Sequence, residues 1–189
     1  MPEILTGDEK FEFNGKETDL NILEMWRWKY SDIYDIKSIL AEYIVEKALG
    51  LEKSQNVGTW TLYDIKYRDT RIEVKETSYF HSWDKVGEKR SKQRTFGITK
   101  AYSKYKDSSS PFERQNDIYV FCLNTGYERE ESYPLNLNNW EFYVIPTKVI
   151  NQMCKDNKTI GLNVVRKLSD VYRYDQIKEK IDEIIDNME

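Results

Sequence analysis

The chain has 189 residues, 39% of them hydrophobic and 14% aromatic, which is enough apolar material for a folded domain and excludes a disordered polymer. Charged residues make up 33% of the chain, but acids outnumber bases only 33 to 29. The net charge of −4 excludes a globally basic surface, so any contact with a polyanion has to be a local patch. No apolar run approaches the roughly 18 residues of a membrane span, and residues 1–10 lack the basic start and apolar stretch of a signal peptide. The expectation is a soluble cytoplasmic protein with no membrane partner. Cys122 and Cys154 have no zinc-ligand spacing, and Cys122 lies in an apolar run that suits a buried small hydrophobe. His81 is the sole histidine, too little for a histidine-based zinc site.

In chain order, residues 11–18 (FEFNGKET) set an Asn-Gly pair between alternating apolar residues, a hairpin signal. Residues 20–30, with Trp26, Trp28 and Tyr30, read as a short helix packed on the core. Ser31 or Asp32 can cap the next helix. There Ile33, Ile36, Ile39, Leu40, Tyr43 and Ile44 recur at helical spacing, and Gly50 stands where a C-terminal cap belongs. At about 100° per residue, Glu42 falls at the edge of that stripe and can point along a sheet into a cleft. Residues 59–67 and 71–80 are rich in β-branched and aromatic residues, with Arg68-Asp69-Thr70 as the turn between them, and so read as a β-hairpin. On its second strand Ile72 and Val74 face one way, Glu73 and Lys75 the other.

Residues 84–106 hold eight basic residues against Asp84 and Glu88, a local +6 in an acidic protein. Residues 95–98 are a candidate strand inside this stretch, and residues 106–111 (KDSSSP) a loop. Residues 117–123 and 140–145 are apolar runs suited to buried strands. Pro146 opens a short helix to about Lys155. Ile177, Ile181, Ile184 and Ile185 line one face of a terminal helix over residues 175–188. The order of elements predicts an α/β fold, a mixed central sheet flanked by helices. It also predicts a single domain over residues 1–189, with a core at about residues 30–150 and residues 151–189 as a C-terminal helical appendage.

The chemistry lies in Asp64 followed, after eight intervening residues, by Glu73-Val74-Lys75. Hydrolysis of a phosphodiester needs a cation to neutralise charge on the phosphate, a water that loses a proton, and a stabilised leaving oxygen. Magnesium keeps several waters and needs only a few carboxylates, so acids on two adjacent strands can hold it. A lysine beside them can hold the attacking water. Glu42 can add an outer carboxylate, with Glu46 one helical turn away as its rival, and the Val74 backbone carbonyl can also ligate. The bland alternative is a cross-strand ion pair on a solvated face.

The order Glu42 on a helix, Asp64 on a strand and Glu73-x-Lys75 on the next strand resembles the PD-(D/E)xK nuclease superfamily. LAEYIVEKALG is similar to its first helix, and YDIKYRDTRIEVKETSYFHSW to its catalytic hairpin. Residues 26–146, with Trp26-x-Trp28, EVK before a Tyr-x-x-Ser-Trp element, and WEFYVIPT, resemble short standalone bacterial members. Tyr63 stands where the motif's proline would be, and His81 where an amide-like residue is expected. The resemblance implies a restriction-endonuclease-like core and a Mg2+-dependent endodeoxyribonuclease, with Mn2+ as substitute. Asp64 and Glu73 would then be metal ligands, Lys75 the residue that positions the water, and Glu42 the outer carboxylate. The setting would be restriction, repair or mobile-element biology, with duplex or branched DNA as partner and a homodimer compatible with cutting two strands. Lys85, Lys89, Arg90, Lys92, Gln93 and Arg94 are the candidate phosphate contacts, and His81 a candidate accessory residue near the strand exit. The aromatic residues are expected mainly in the core rather than as base-stacking platforms. A catalytically silent nucleic-acid-binding or scaffold protein on the same fold is the alternative, and a carboxylate-metal hydrolase for another phosphoester is a third reading.

Overall fold

A computed structural model describes residues 5–51, 61–85, 93–104 and 107–188. Its first element is the hairpin of β1 (Lys10–Phe13) and β2 (Lys16–Asn21), joined at Asn14 and Gly15 with φ of 52° and 71°, the left-handed pair a tight hairpin turn needs. Helix α1 (Ile22–Lys29) follows, capped by the Asn21 side chain, which accepts from the Glu24 N–H at 2.9 Å. The expectation that this helix packs on the core is not met. None of its residues is buried, and Trp28 is 77% exposed.

Helix α2 (Lys37–Ala48) ends as expected at Leu49 and Gly50, where φ is 74°. Its start differs. Ile36 is the N-cap and makes no side-chain cap bond, while Asp32 accepts from the Tyr34 N–H in the preceding turn. Its buried face also differs, being Lys37, Ala41, Ile44 and Val45, with Ile39 and Tyr43 exposed. A lysine tolerates this position because its ammonium is satisfied at long range, donating to the Phe80 carbonyl at 2.6 Å and to Asn124 Oδ1 at 3.3 Å.

The central sheet has the order β3 (Ile65–Tyr67), β4 (Thr70–Ser78), β8 (Ile118–Asn124), β9 (Trp140–Pro146). The outer pairs are antiparallel and β4 with β8 is parallel, so the sheet is mixed. Arg68 and Asp69 form the β3–β4 turn with φ of 48° and 63°. Between β4 and β8 lie β5 (Thr95–Gly97), β6 (Ala101–Tyr102) and β7 (Phe112–Glu113), the last two paired with each other. After β9 come α3 (Thr147–Cys154), β10 (Thr159–Gly161), α4 (Leu162–Leu168) and α5 (Ile177–Asp186). Strand β10 pairs antiparallel with β5.

Side-chain alternation splits the core in two. On one face Ile72, Val74, Val120, Cys122 and Phe142 pack with Ala41 and Val45 of α2 and with Ile177 and Ile181 of α5. On the other, Tyr119, Phe121, Tyr143 and Ile145 pack with Phe96, Ile150 of α3, and Leu162 and Val165 of α4. Residues 151–188 are therefore not an appendage: they supply one strand and two helices to these layers, and Ile177 and Ile181 are fully buried. The amphipathic face of α5 was visible in the sequence, but the sheet it covers is more than 30 residues away in the chain.

Candidate active site

Strand β4 builds the site. Its Ile72 and Val74 are buried on one face, which turns Glu73 and Lys75 to the other. There the Lys75 ammonium pairs with Glu73 Oε1. In register across the sheet, Glu73 stands beside Tyr119 and Lys75 beside Phe121, so the pair sits on an aromatic floor.

Asp64 lies one residue before β3 rather than within it. Its N–H still donates to the Ile72 carbonyl, and its Oδ2 accepts from the Val74 N–H at 2.7 Å. The aspartate side chain thus takes over the backbone ladder where the short strand stops. A strand residue's N–H and C=O point to the same edge, so the Val74 carbonyl opens toward the side Asp64 occupies. The strand expected over residues 59–67 is regular only at Ile65–Tyr67, and residues 59 and 60 lie outside the described residues.

Helix α2 brings up Glu42. As a residue it is exposed, yet protein atoms crowd its carboxyl group. That burial, with the charge of Asp64 and a smaller push from Glu73, raises its pKa to about 7 against the pull of Lys75. Burial raises Asp64 too, opposed by the Val74 N–H and Lys75. Glu73 is raised by burial and then by Asp64, again opposed by Lys75. The Lys75 ammonium therefore acts on all three carboxylates, and all three are nonetheless held above their ordinary range. Glu46 does not enter that field; it pairs with Lys47 at 3.2 Å.

Such a donor set suits a divalent cation: hard oxygens, excess negative charge and a backbone carbonyl on the same edge. Among the described residues, no three His, Cys, Asp or Glu side chains are already gathered closely enough to form a ready-made metal cage.

The other candidates fall elsewhere. His81 lies past the end of β4, its ring stacked on Trp83 at 4.7 Å between centroids, and it is not among the groups that shift the three carboxylates. Trp83 is 75% exposed, and of the described tryptophans only Trp140 lies in the core. Lys89, Arg90 and Lys92 lie outside the described residues, and Lys85 and Gln93 are exposed. Arg94 is committed to the protein: Nη2 donates to the Tyr79 carbonyl at 2.9 Å and Nη1 to the Gln93 carbonyl at 2.9 Å, which ties β5 to the end of β4.

Sequence reasoning missed a polar cluster on the core-facing side of β4. Glu76 accepts from the Ser78 hydroxyl, and its pKa is raised by burial against the pull of Ser78 and Lys37. The signal was available, since the alternation that buries Ile72 and Val74 puts Glu76 on the same side.

Comparison of the chain with family models, with curated proteins and with solved structures finds no match. Among the described residues no helix is long and apolar enough to cross a membrane.

Proposed function

We propose that the chain is a metal-dependent nuclease of the PD-(D/E)xK type, with a restriction-endonuclease-like core, that hydrolyses phosphodiester bonds in DNA. The observation that carries this reading is the convergence of Glu42, Asp64 and Glu73 on Lys75 at one stretch of β4, where Asp64 Oδ2 accepts from the Val74 N–H, Glu73 pairs with Lys75, and the Glu42 carboxyl lies in the field of all three.

Asp64 and Glu73 would hold a Mg2+ or Mn2+ ion, with the Val74 carbonyl beside them, and the ion would supply charge neutralisation at the phosphate and a water of lowered pKa. Lys75 would position the attacking water and stabilise the negative charge that develops on the phosphoryl oxygens. Glu42 stands in the outer shell, where its raised pKa suits it to take a proton from water near neutral pH.

The test is cleavage of linear, supercoiled, single-stranded and branched DNA with Mg2+ or Mn2+, comparing wild type with Lys75→Ala. Metal-dependent cutting that falls by about 10²–10⁴ in the variant is the expected result. Cutting that survives the substitution assigns the activity to another site. Absence of cutting by wild type on every substrate favours the catalytically silent scaffold.

A further inference from the structure

The N-terminal hairpin and α1 form a unit that buries none of its own side chains. Across residues 8–30 every residue is exposed or half-buried. A two-stranded hairpin is marginal by itself in water, and α1, with eight residues, is shorter than the roughly 12–15 that an isolated helix needs. The unit is tied together through its backbone, the Ile22 N–H donating to the Glu9 carbonyl at 3.1 Å and the Leu23 N–H to the Gly7 carbonyl at 3.0 Å. Such bonds add little net stability in water, so the unit needs apolar cover.

The surface that lacks cover is apolar and continuous. Phe11, Leu20, Met25 and Trp28 line a groove of about 340 Å3. Phe13, 72% exposed, lies on the same face of β1 as Phe11, because the irregularity in the hairpin pairing adds residues to β2 and leaves the alternation of β1 intact. At their observed exposures these five side chains present roughly 600 Å2 to solvent, taking about 150–250 Å2 for each side chain whole. A specific interface buries roughly 800 Å2 per partner, about 60% of it apolar. The five side chains therefore supply the apolar core of one.

The unit carries both halves of a contact, a groove and, beside the Asn14–Gly15 turn, the exposed ring of Phe13. A patch of that kind is self-complementary, and a two-fold axis seats each copy's Phe13 in the other's groove and closes the assembly at two. Charge points away from other occupants. Residues 8–29 hold six acids and four bases, and the excess of negative charge repels DNA and anionic lipid. Between two copies that excess is mild, mixed in sign and screened within roughly 10 Å at 0.1 M salt. We propose that this face is a homodimer interface, in which Phe13 of each copy enters the groove formed by Phe11, Leu20, Met25 and Trp28 of the other.

The test is sedimentation velocity of the full chain across micromolar concentrations. Wild type, Phe13→Glu, Leu20→Lys and Met153→Glu are compared, with folding of each checked by circular dichroism. Wild type is expected to pass from monomer to dimer as concentration rises. Phe13→Glu and Leu20→Lys each raise the dissociation constant by about tenfold or more. Met153→Glu, at a position 61% exposed on α3, leaves it unchanged. An equimolar mixture of Phe13→Glu and Leu20→Lys dimerises again, since one junction keeps an intact Phe13 in an intact groove and the other pairs the two introduced charges. A unit that had merely unfolded gives no such rescue. A wild type that stays monomeric at every concentration, a dimer untouched by Phe13→Glu, or a mixture that stays monomeric overturns the proposal. Binding of monomeric wild type to vesicles of anionic lipid, lost in Phe13→Glu, overturns it in favour of a membrane. None of these readouts uses metal or Lys75, so the nuclease reading is tested separately.

Discussion

Glu42 carries a charge that the folded protein resists. Its pKa is about 7 when folded and 4.5 in an ordinary environment, so the folded state binds more protons between those values. Its unfavourable contribution is absent below pH 4.5, grows as pH rises toward 7, and is complete above 7. Glu42→Gln removes it. The metal-free variant is expected to melt higher than wild type at pH 8, with the difference shrinking toward zero near pH 4. Thermal melts of the two proteins across this range check it. Lys37 has the opposite sign. Burial lowers its pKa from 10.5 to about 8, so the folded state gives up this proton first. Its cost, on the order of 3 kcal/mol, is complete below pH 8 and disappears as pH rises to 10.5. Denaturant melts of wild type and Lys37→Met over that window are expected to show a relative gain in wild-type stability with pH. A constant difference would mean that Lys37 keeps its proton throughout.

At the scale of elements, α5 decides whether the C-terminal third belongs to the fold. Ile181 is fully buried against the sheet with Ile177, so Ile181→Ala is expected to cost about 2–5 kcal/mol in denaturant unfolding. Removal of residues 175–188 is expected to leave a chain without cooperative unfolding, and an appendage would permit both changes at little cost. The hairpin turns, the strands β4, β8 and β9, and the existence of α2, α3 and α5 were legible because each follows from local period and turn chemistry. The orientation of α2 was not. Counting Ile39 and Tyr43 as core is sound locally, but it fails because Lys37 turns inward instead, its ammonium satisfied by Phe80 and Asn124, 43 and 87 residues away. The role of residues 151–188 was hidden for the same reason, since periodicity identifies an apolar face and not what covers it.

For the whole molecule, β4 does two jobs at once. One face closes the core under α2 and α5, and the other carries Glu73 and Lys75 at the border of the second core. Of the candidate site, the hairpin carboxylates, Lys75 and Glu42 were legible, because strand alternation and helical spacing fix their directions. The exact place of Asp64 was not, since β3 is regular only from Ile65 and the aspartate side chain replaces a backbone partner for the Val74 N–H. Each part of this arrangement is consistent with a site that keeps excess negative charge for a cation. The most direct measurement is calorimetric titration of Mn2+ into wild type and Asp64→Asn, at a pH where the carboxylates are ionised. A saturable site in wild type that is lost in Asp64→Asn, with a matching rise in wild-type melting temperature, is the predicted result. No binding heat and no shift in wild type would contradict it, and the three carboxylates would then stand as a feature of a protein that does not use metal.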